Sequence, residues 1–303
     1  MTVQGNEIIP GDTAAAVEKR LSCPIAHGRL KVNDGVITSG DPSFKGEIVD
    51  GVAVMTGSIQ RSFFDDKYET MQRGHEKEGE WLFCYAQQTA LLASYLRAGQ
   101  VVLDVGCGPS LPYPRPAGVY VVGLDPSFHS IRANGDVDLR VNGSAAAIPM
   151  ADASVDVVVC FYSIHHMVGR NIRDTRENVS RAFREFGRVL KPEGSLYVFE
   201  MTPIAPFYAF QSLFWNLVRR LAPRTLDMYF WSASTLAKVA RDNLPQGAIP
   251  EKLFFGTSAF TTIPPVFNLP WFKIPRLFYP LDAKLYRWRL PPAAGEPGNR
   301  SSH

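Results

Sequence analysis

The sequence predicts an α/β fold built on an open parallel sheet, with a ligand-binding turn at the carboxyl end of one strand. Three observations carry that reading. Val101-Val-Leu-Asp-Val105 is apolar at every position but Asp104, as a strand buried on both faces requires, and it breaks at once into Gly106-Cys107-Gly108. A second apolar run, 119–124, ends in Asp125, 17 residues after Gly108. An amphipathic helix pattern over 178–190 then leads into another apolar run, 195–200, which gives the alternation of helix and strand that parallel sheets need.

The turn is suited to a ligand. Two glycines flanking one small residue let the backbone bend sharply and bring its amides close to a bound group. Alone, a Gly-x-Gly after a strand is weak. Asp125 strengthens it, because a carboxylate at the next strand end can bind ribose hydroxyls, and open sheets take ligands at their carboxyl edge. The pattern therefore fits an adenosine-containing cofactor laid across two strand ends. A nicotinamide dinucleotide would need a third glycine where Leu111 stands. Asp104, inside the strand, has no use for a pyrophosphate and can brace the loop or reach a cationic amino group.

The other elements follow in order. Residues 1–20 are expected to be a flexible lead-in, and 21–56 a small β module of short pieces at 29–32, 35–38, 47–49 and 52–55. Asp50-Gly51 between two of these is a hairpin turn, since both positions tolerate positive φ. A charged, aromatic stretch from Ser58 to Lys77 leads into a helix pattern over 80–98, with Leu82, Tyr85, Thr89, Leu92 and Leu96 at spacings of three and four. After the glycine turn, Pro112, Pro114 and Pro116 forbid a regular helix. Residues 157–161 read as a strand, and Lys191-Pro-Glu-Gly194 ends the 178–190 helix. From 202 to 229 the residues Phe207, Phe210, Phe214, Leu217 and Leu221 keep helical spacing, widened by Leu213, Trp215 and Val218, and predict a lid helix beside a large apolar pocket. A last strand pair is expected at 251–255 and 259–263. Beyond it lies a proline-rich, aromatic tail with a short helical piece at Leu281, Leu285 and Trp288.

Val102-Leu-Asp-Val-Gly-Cys-Gly-Pro109, Gly123-Leu-Asp-Pro126 and the Arg188-Val-Leu-Lys-Pro-Glu-Gly194 block together resemble the class I S-adenosylmethionine-dependent methyltransferases of the type 11 group. The resemblance covers residues 100–200. It implies a Rossmann-like, doubly wound seven-stranded sheet and S-adenosyl-L-methionine as cofactor, held by Asp104, Gly106, Cys107, Gly108, Asp125, Pro126, Ser144, Ala145, Phe161 and Tyr162. Relatives usually carry an Asp at the position of Ser144, so this chain's contact to adenine is uncharged. Pre-domain helices in the family close over the cofactor, which brings Phe64 and Tyr68 forward as ligand contacts. His165 and His166, after the fourth strand, stand where an imidazole can act as general base toward a hydroxyl or phenol. The same pair can instead simply hold the loop. Residues 21–56 resemble a degenerate Trm112-like zinc-ribbon segment, through Cys23-Pro24 and Ile48–Val54. Ala26 stands where the partner thiol of Cys23 belongs, so no metal is expected.

The domain plan is thus a lead-in at 1–20, the β module at 21–56, a methyltransferase domain at 58–264 with a lid insertion at 202–240, and a C-terminal strap and disordered tail at 265–303. With 32 basic and 29 acidic residues, the chain has no global field that would draw it to nucleic acid. Its four cysteines show no close pairing, which suits a reducing compartment. No signal peptide or membrane span is expected, which reads as cytoplasmic. Basic residues between 269 and 290 suggest peripheral membrane contact there. The expected reaction is methyl transfer to a hydrophobic small molecule, such as a lipid, quinone or natural-product hydroxyl. The alternatives are an RNA base methyltransferase and a catalytically idle partner subunit. A nicotinamide oxidoreductase is set aside on Leu111.

Overall fold

In the computed structural model, which describes residues 10–56, 85–221, 228–254, 262–263, 274–275 and 280–293, the apolar runs between Val101 and Glu200 are all strands. They are β5 (Val101–Val105), β6 (Tyr120–Asp125), β7 (Leu139–Asn142), β8 (Val155–Phe161) and β9 (Leu190–Pro203). In space they run β7-β6-β5-β8-β9, all parallel; β13 (Leu281–Arg289) follows antiparallel to β9, and β10 (Ile249–Phe254) antiparallel to β13. That is the expected seven-stranded sheet. The switch from β5–β6 to β5–β8 puts the carboxyl ends of β5, β6 and β8 around one crevice, the usual ligand position in such sheets.

Helices cover both faces. On one, α2 (Tyr85–Tyr95) and α3 (Phe128–Ala133) bury Leu92, Phe128 and Ile131 against β5 and β6. On the other, α4 (Ile172–Val189) and α6 (Ala233–Asn243) bury Val179, Phe183, Phe186 and Leu236. Asn171 caps α4, its side chain accepting from the amides of Arg173 and Asp174, so this helix starts one and a half turns earlier than its apolar pattern suggested.

The β module matches its expected pieces as β1 (Leu30–Asn33), β2 (Val36–Ser39), β3 (Lys45–Val49) and β4 (Val52–Val54). Asp50 and Gly51 take φ of +48° and +72°, as the hairpin demanded. The module does not stand apart. Val52, Ala53 and Val54 are fully buried and pair in parallel with Arg140, Val141 and Asn142, so the meander extends the main sheet to eleven strands.

Three expectations are corrected. Residues 10–20, expected as part of a loose lead-in, form α1 (Pro10–Arg20): proline suits the first helical turn, Ala14–Ala16 propagate it, and Val17 is fully buried. Residues 281–289, expected as a helical piece of a strap, are β13, paired with β9 from Leu281↔Pro203 to Arg289↔Ser195. Leu281 and Leu285 share a strand face as readily as a helix face, and a strand covered on both sides buries Tyr286 and Trp288 on the other. The ladder to β9 and β10 decides. β10 was foreseen, but its partner is β13, while β11 (Thr262–Ile263) pairs with β12 (Ile274–Pro275). Much of the segment suggested for membrane contact therefore lies inside the sheet. Arg287 meets Glu251 and lies over the rings of Tyr95 and Tyr197, and Arg289 meets Glu193. Lys273 and Arg276 lie outside the described residues. No described helix is long and apolar enough to cross a membrane.

Candidate cofactor and active site

The glycine turn is held on three sides. Gly106 and Gly108 take φ of +72° and +61°. A Cβ on Gly106 would sit 2.5 Å from that of Ser163, so this glycine is required by contact as well as by φ. Around Gly108 there is open space among the described residues, none of them lying within 4 Å of where a Cβ would be. The Gly106 amide donates to Leu124 O at 2.7 Å, and Asn134 Nδ2 donates to Gly108 O at 2.9 Å. Asp125, at the end of β6, accepts the Gly108 amide on Oδ2 at 2.9 Å and the Ser127 amide on Oδ1 at 2.8 Å. It therefore links the turn to the start of α3. Pro126 is exposed beside it, and its carbonyl accepts from Asn142 Nδ2.

Where a helix would ordinarily follow, the proline segment forms a loop with no regular structure, as expected. It is pinned by Leu111 N to Asp136, by Arg115 to Asp138 and by Tyr113, which is buried. The Tyr113 hydroxyl donates to Asp104 Oδ2 at 2.6 Å. Asp104 is fully buried, and its other oxygen, Oδ1, has no hydrogen-bond partner among the described residues. Burial pushes its carboxyl up to about 7, against the Tyr113 hydrogen bond, with the Asp125 charge adding to the rise. Burial likewise raises the Cys107 and Cys160 thiols, so both stay protonated and packed rather than nucleophilic.

A second unsatisfied group faces the same end of the sheet. Gln88 of α2 is fully buried and accepts from the Tyr162 hydroxyl at 2.8 Å, while its Nε2 has no partner among the described residues. Tyr162 takes φ +51°, an uncommon conformation for a bulky residue and one that clusters at functional sites. Phe161 is buried against Phe199 and Tyr162. Ser144 is exposed, and its Oγ already accepts the Ala146 amide at 3.2 Å. Ala145 lies half-buried in the same turn. Phe64 and Tyr68 lie outside the described residues.

His165 and His166 sit in a single 3-10 turn (Ile164–His166) after β8, their rings 4.1 Å apart. His165 has a partner that sequence reading missed. Its Nδ1 lies 2.6 Å from Oε1 of Glu200, and its backbone amide donates to Oε2 at 3.1 Å. Glu200 is fully buried near the end of β9. A carboxylate only accepts, so Nδ1 carries a proton, and in the neutral imidazole it is Nε2 that has the lone pair. Phe230 closes over His165 at 5.4 Å between centroids. An apolar cleft of about 350 Å³ is lined by Leu244, Tyr286 and Trp288, but Trp288 pairs with Leu196, four residues back along β9 from Glu200.

The methyltransferase-domain family model matches residues 103–198. The chain is 39% identical over 113 residues to the 27-O-demethylrifamycin SV methyltransferase of Amycolatopsis mediterranei, covering 33% of this chain and 38% of that protein. It is 34% identical over 132 residues to the demethylmenaquinone methyltransferase of Renibacterium salmoninarum, covering 41% and 51%. The chain thus spans about half or less of the length of these curated relatives. A chain from the complex between the Haloferax volcanii Trm112 methyltransferase activator and a methyltransferase shares the fold, with a TM-score of 0.53 and 19% identity over 77% of this chain and 100% of that one. The strand order, the glycine turn and these likenesses agree: residues 103–198 carry a class I, S-adenosylmethionine-dependent methyltransferase domain.

Proposed function

We propose that the chain transfers a methyl group from S-adenosyl-L-methionine to a hydrophobic small-molecule acceptor bearing a hydroxyl or phenol. The observation that carries this reading is the buried Asp104 carboxyl beside the glycine turn, with Oδ1 lacking a partner among the described residues. A buried polar atom left bare costs roughly 1–3 kcal/mol, and a ligand ammonium would satisfy this one. The open space at Gly108 fits a group laid against the turn, and Gln88 Nε2 offers a further buried donor. Asp125 would hold the ribose hydroxyls, and the turn at Ser144–Ala145 would border the adenine.

When bound, the cofactor supplies a methyl group already activated on a sulfonium, so the protein need mainly hold the acceptor in line. His165 takes the acceptor's proton on Nε2. Glu200 keeps the imidazole in the tautomer that can do so and stabilises the imidazolium that forms. The relatives named for a rifamycin and for demethylmenaquinone favour a lipophilic acceptor.

A catalytically idle partner subunit is the second reading, favoured by Tyr113 lying on Asp104 and by the uncharged Ser144. Incubation with methyl-labelled S-adenosylmethionine and a panel of lipophilic phenols and quinols decides. Label in the organic extract that disappears in His165→Ala supports transfer, and no label with any acceptor favours the idle subunit.

A further inference from the structure

The helix after β9, α5 (Ala205–Leu221), packs by one face and carries exposed apolar side chains on the other. On the inner face Trp215 is buried against the Tyr229 ring, and Ser212 Oγ lies 2.8 Å from the Tyr229 hydroxyl. Gln211 makes both side-chain hydrogen bonds to the backbone of Phe230. Opposite Trp215, Phe210, Leu213, Phe214, Leu217 and Leu221 are 62%, 75%, 37%, 52% and 75% exposed. At 100° per residue these five fall within an arc of about 100°. The sequence pattern suits a lid helix packed on the sheet or turned to substrate, whereas these five side chains are exposed.

We propose that this face of α5 docks on an anionic lipid surface, lying in the interface rather than spanning it. Charge chooses the occupant. From Met201 to Leu226 there is no acidic residue, while Arg219 and Arg220 end the helix and Arg224 follows in sequence. Arg219 folds over the inner Trp215 ring, but exposed Arg220 borders the stripe, and an apolar stripe edged by arginine in a segment without acidic residues complements an anionic headgroup layer. A second copy of the chain is the poorer fit, because five side chains are far fewer than the roughly 20 residues a side of a stable interface. The stripe also leads toward the active site. Phe207, in the first turn of α5, lies 6.5 Å from Phe230, which in turn covers His165. Delivery of a membrane-dissolved acceptor along this path rests on the function proposed above; the docking itself does not.

The test is flotation of the full chain with phosphatidylcholine vesicles, with and without phosphatidylglycerol. The wild type should float only with phosphatidylglycerol present. Leu213→Ser combined with Leu217→Ser, and separately Arg220→Glu, should each weaken binding about tenfold or more. All these residues are on the exposed face, so titration with S-adenosylhomocysteine should be unchanged in the variants, which shows that they fold. Failure of the wild type to float, flotation indifferent to the variants, or a dimer in sedimentation that the same variants split would each overturn the proposal. Loss of S-adenosylhomocysteine binding in the wild type would overturn the cofactor reading instead and leave the lipid result standing.

Discussion

Replacing Tyr113 by Phe removes one hydroxyl and leaves the rest of the proline loop intact. That hydroxyl is the only described hydrogen-bond donor to a carboxylate that is fully buried. Asp104 stands at about 7 instead of 3.8, which at about 1.4 kcal/mol per pKa unit burdens the folded state by about 4 kcal/mol above pH 7. The sign follows from proton uptake. Between pH 4 and 7 the folded protein holds a proton that the unfolded chain has released, so this group's contribution falls as pH rises to 7 and is constant above it. The hydrogen bond is worth roughly 1.5–3 kcal/mol to the charged form and about 1 kcal/mol to the neutral one. Tyr113→Phe should therefore cost about 1 kcal/mol at pH 6 and about 1.5–3 kcal/mol at pH 9. The Tyr113 phenol itself, raised well above its usual value by burial and by Asp104, stays protonated across that range. Urea unfolding of both proteins at the two pH values measures the difference. An equal loss at both pH values would refute the idea that Tyr113 supports a titrating Asp104.

Asp104 should also set the pH dependence of ligand binding. An ammonium bound at Oδ1 needs the carboxylate, so S-adenosylhomocysteine affinity should fall up to about tenfold per pH unit below 7, and Asp104→Asn should flatten that slope in calorimetry. Glu200→Gln should lower kcat roughly 10–100-fold with little change in cofactor affinity and a shifted acidic limb in the pH–rate profile. An unchanged profile would remove Glu200 from the mechanism. Gly106→Ala should destabilise by more than about 1 kcal/mol, since it adds both strain at φ +72° and a clash with Ser163. A thermal shift within error of zero would contradict the turn geometry.

The sheet was legible because strands buried on both faces leave unbroken apolar runs, and the turn was legible because two glycines next to a strand have few other uses. The polar partners were not. Gln88 lies among Tyr85, Thr89 and Leu92 on a helix, and nothing in the pattern distinguishes a glutamine facing the site from one facing water. Glu200 ends an apolar run, where a carboxylate reads as solvated, until His165 folds back over it. Tyr113 looked like one more residue in a helix-breaking stretch, yet its phenol anchors that stretch to β5. β13 escaped because spacings of four suit one face of a strand as well as of a helix. Only pairing with both neighbours separates the two.

The most direct test of the central claim is calorimetric titration of the whole protein with S-adenosylhomocysteine, beside NADH and an Asp125→Ala variant. Micromolar binding of the nucleoside, absent for NADH and lost in the variant, is the predicted result. Heat from NADH, or nucleoside binding that survives Asp125→Ala, would contradict the assignment of the glycine turn and Asp125 as the cofactor site.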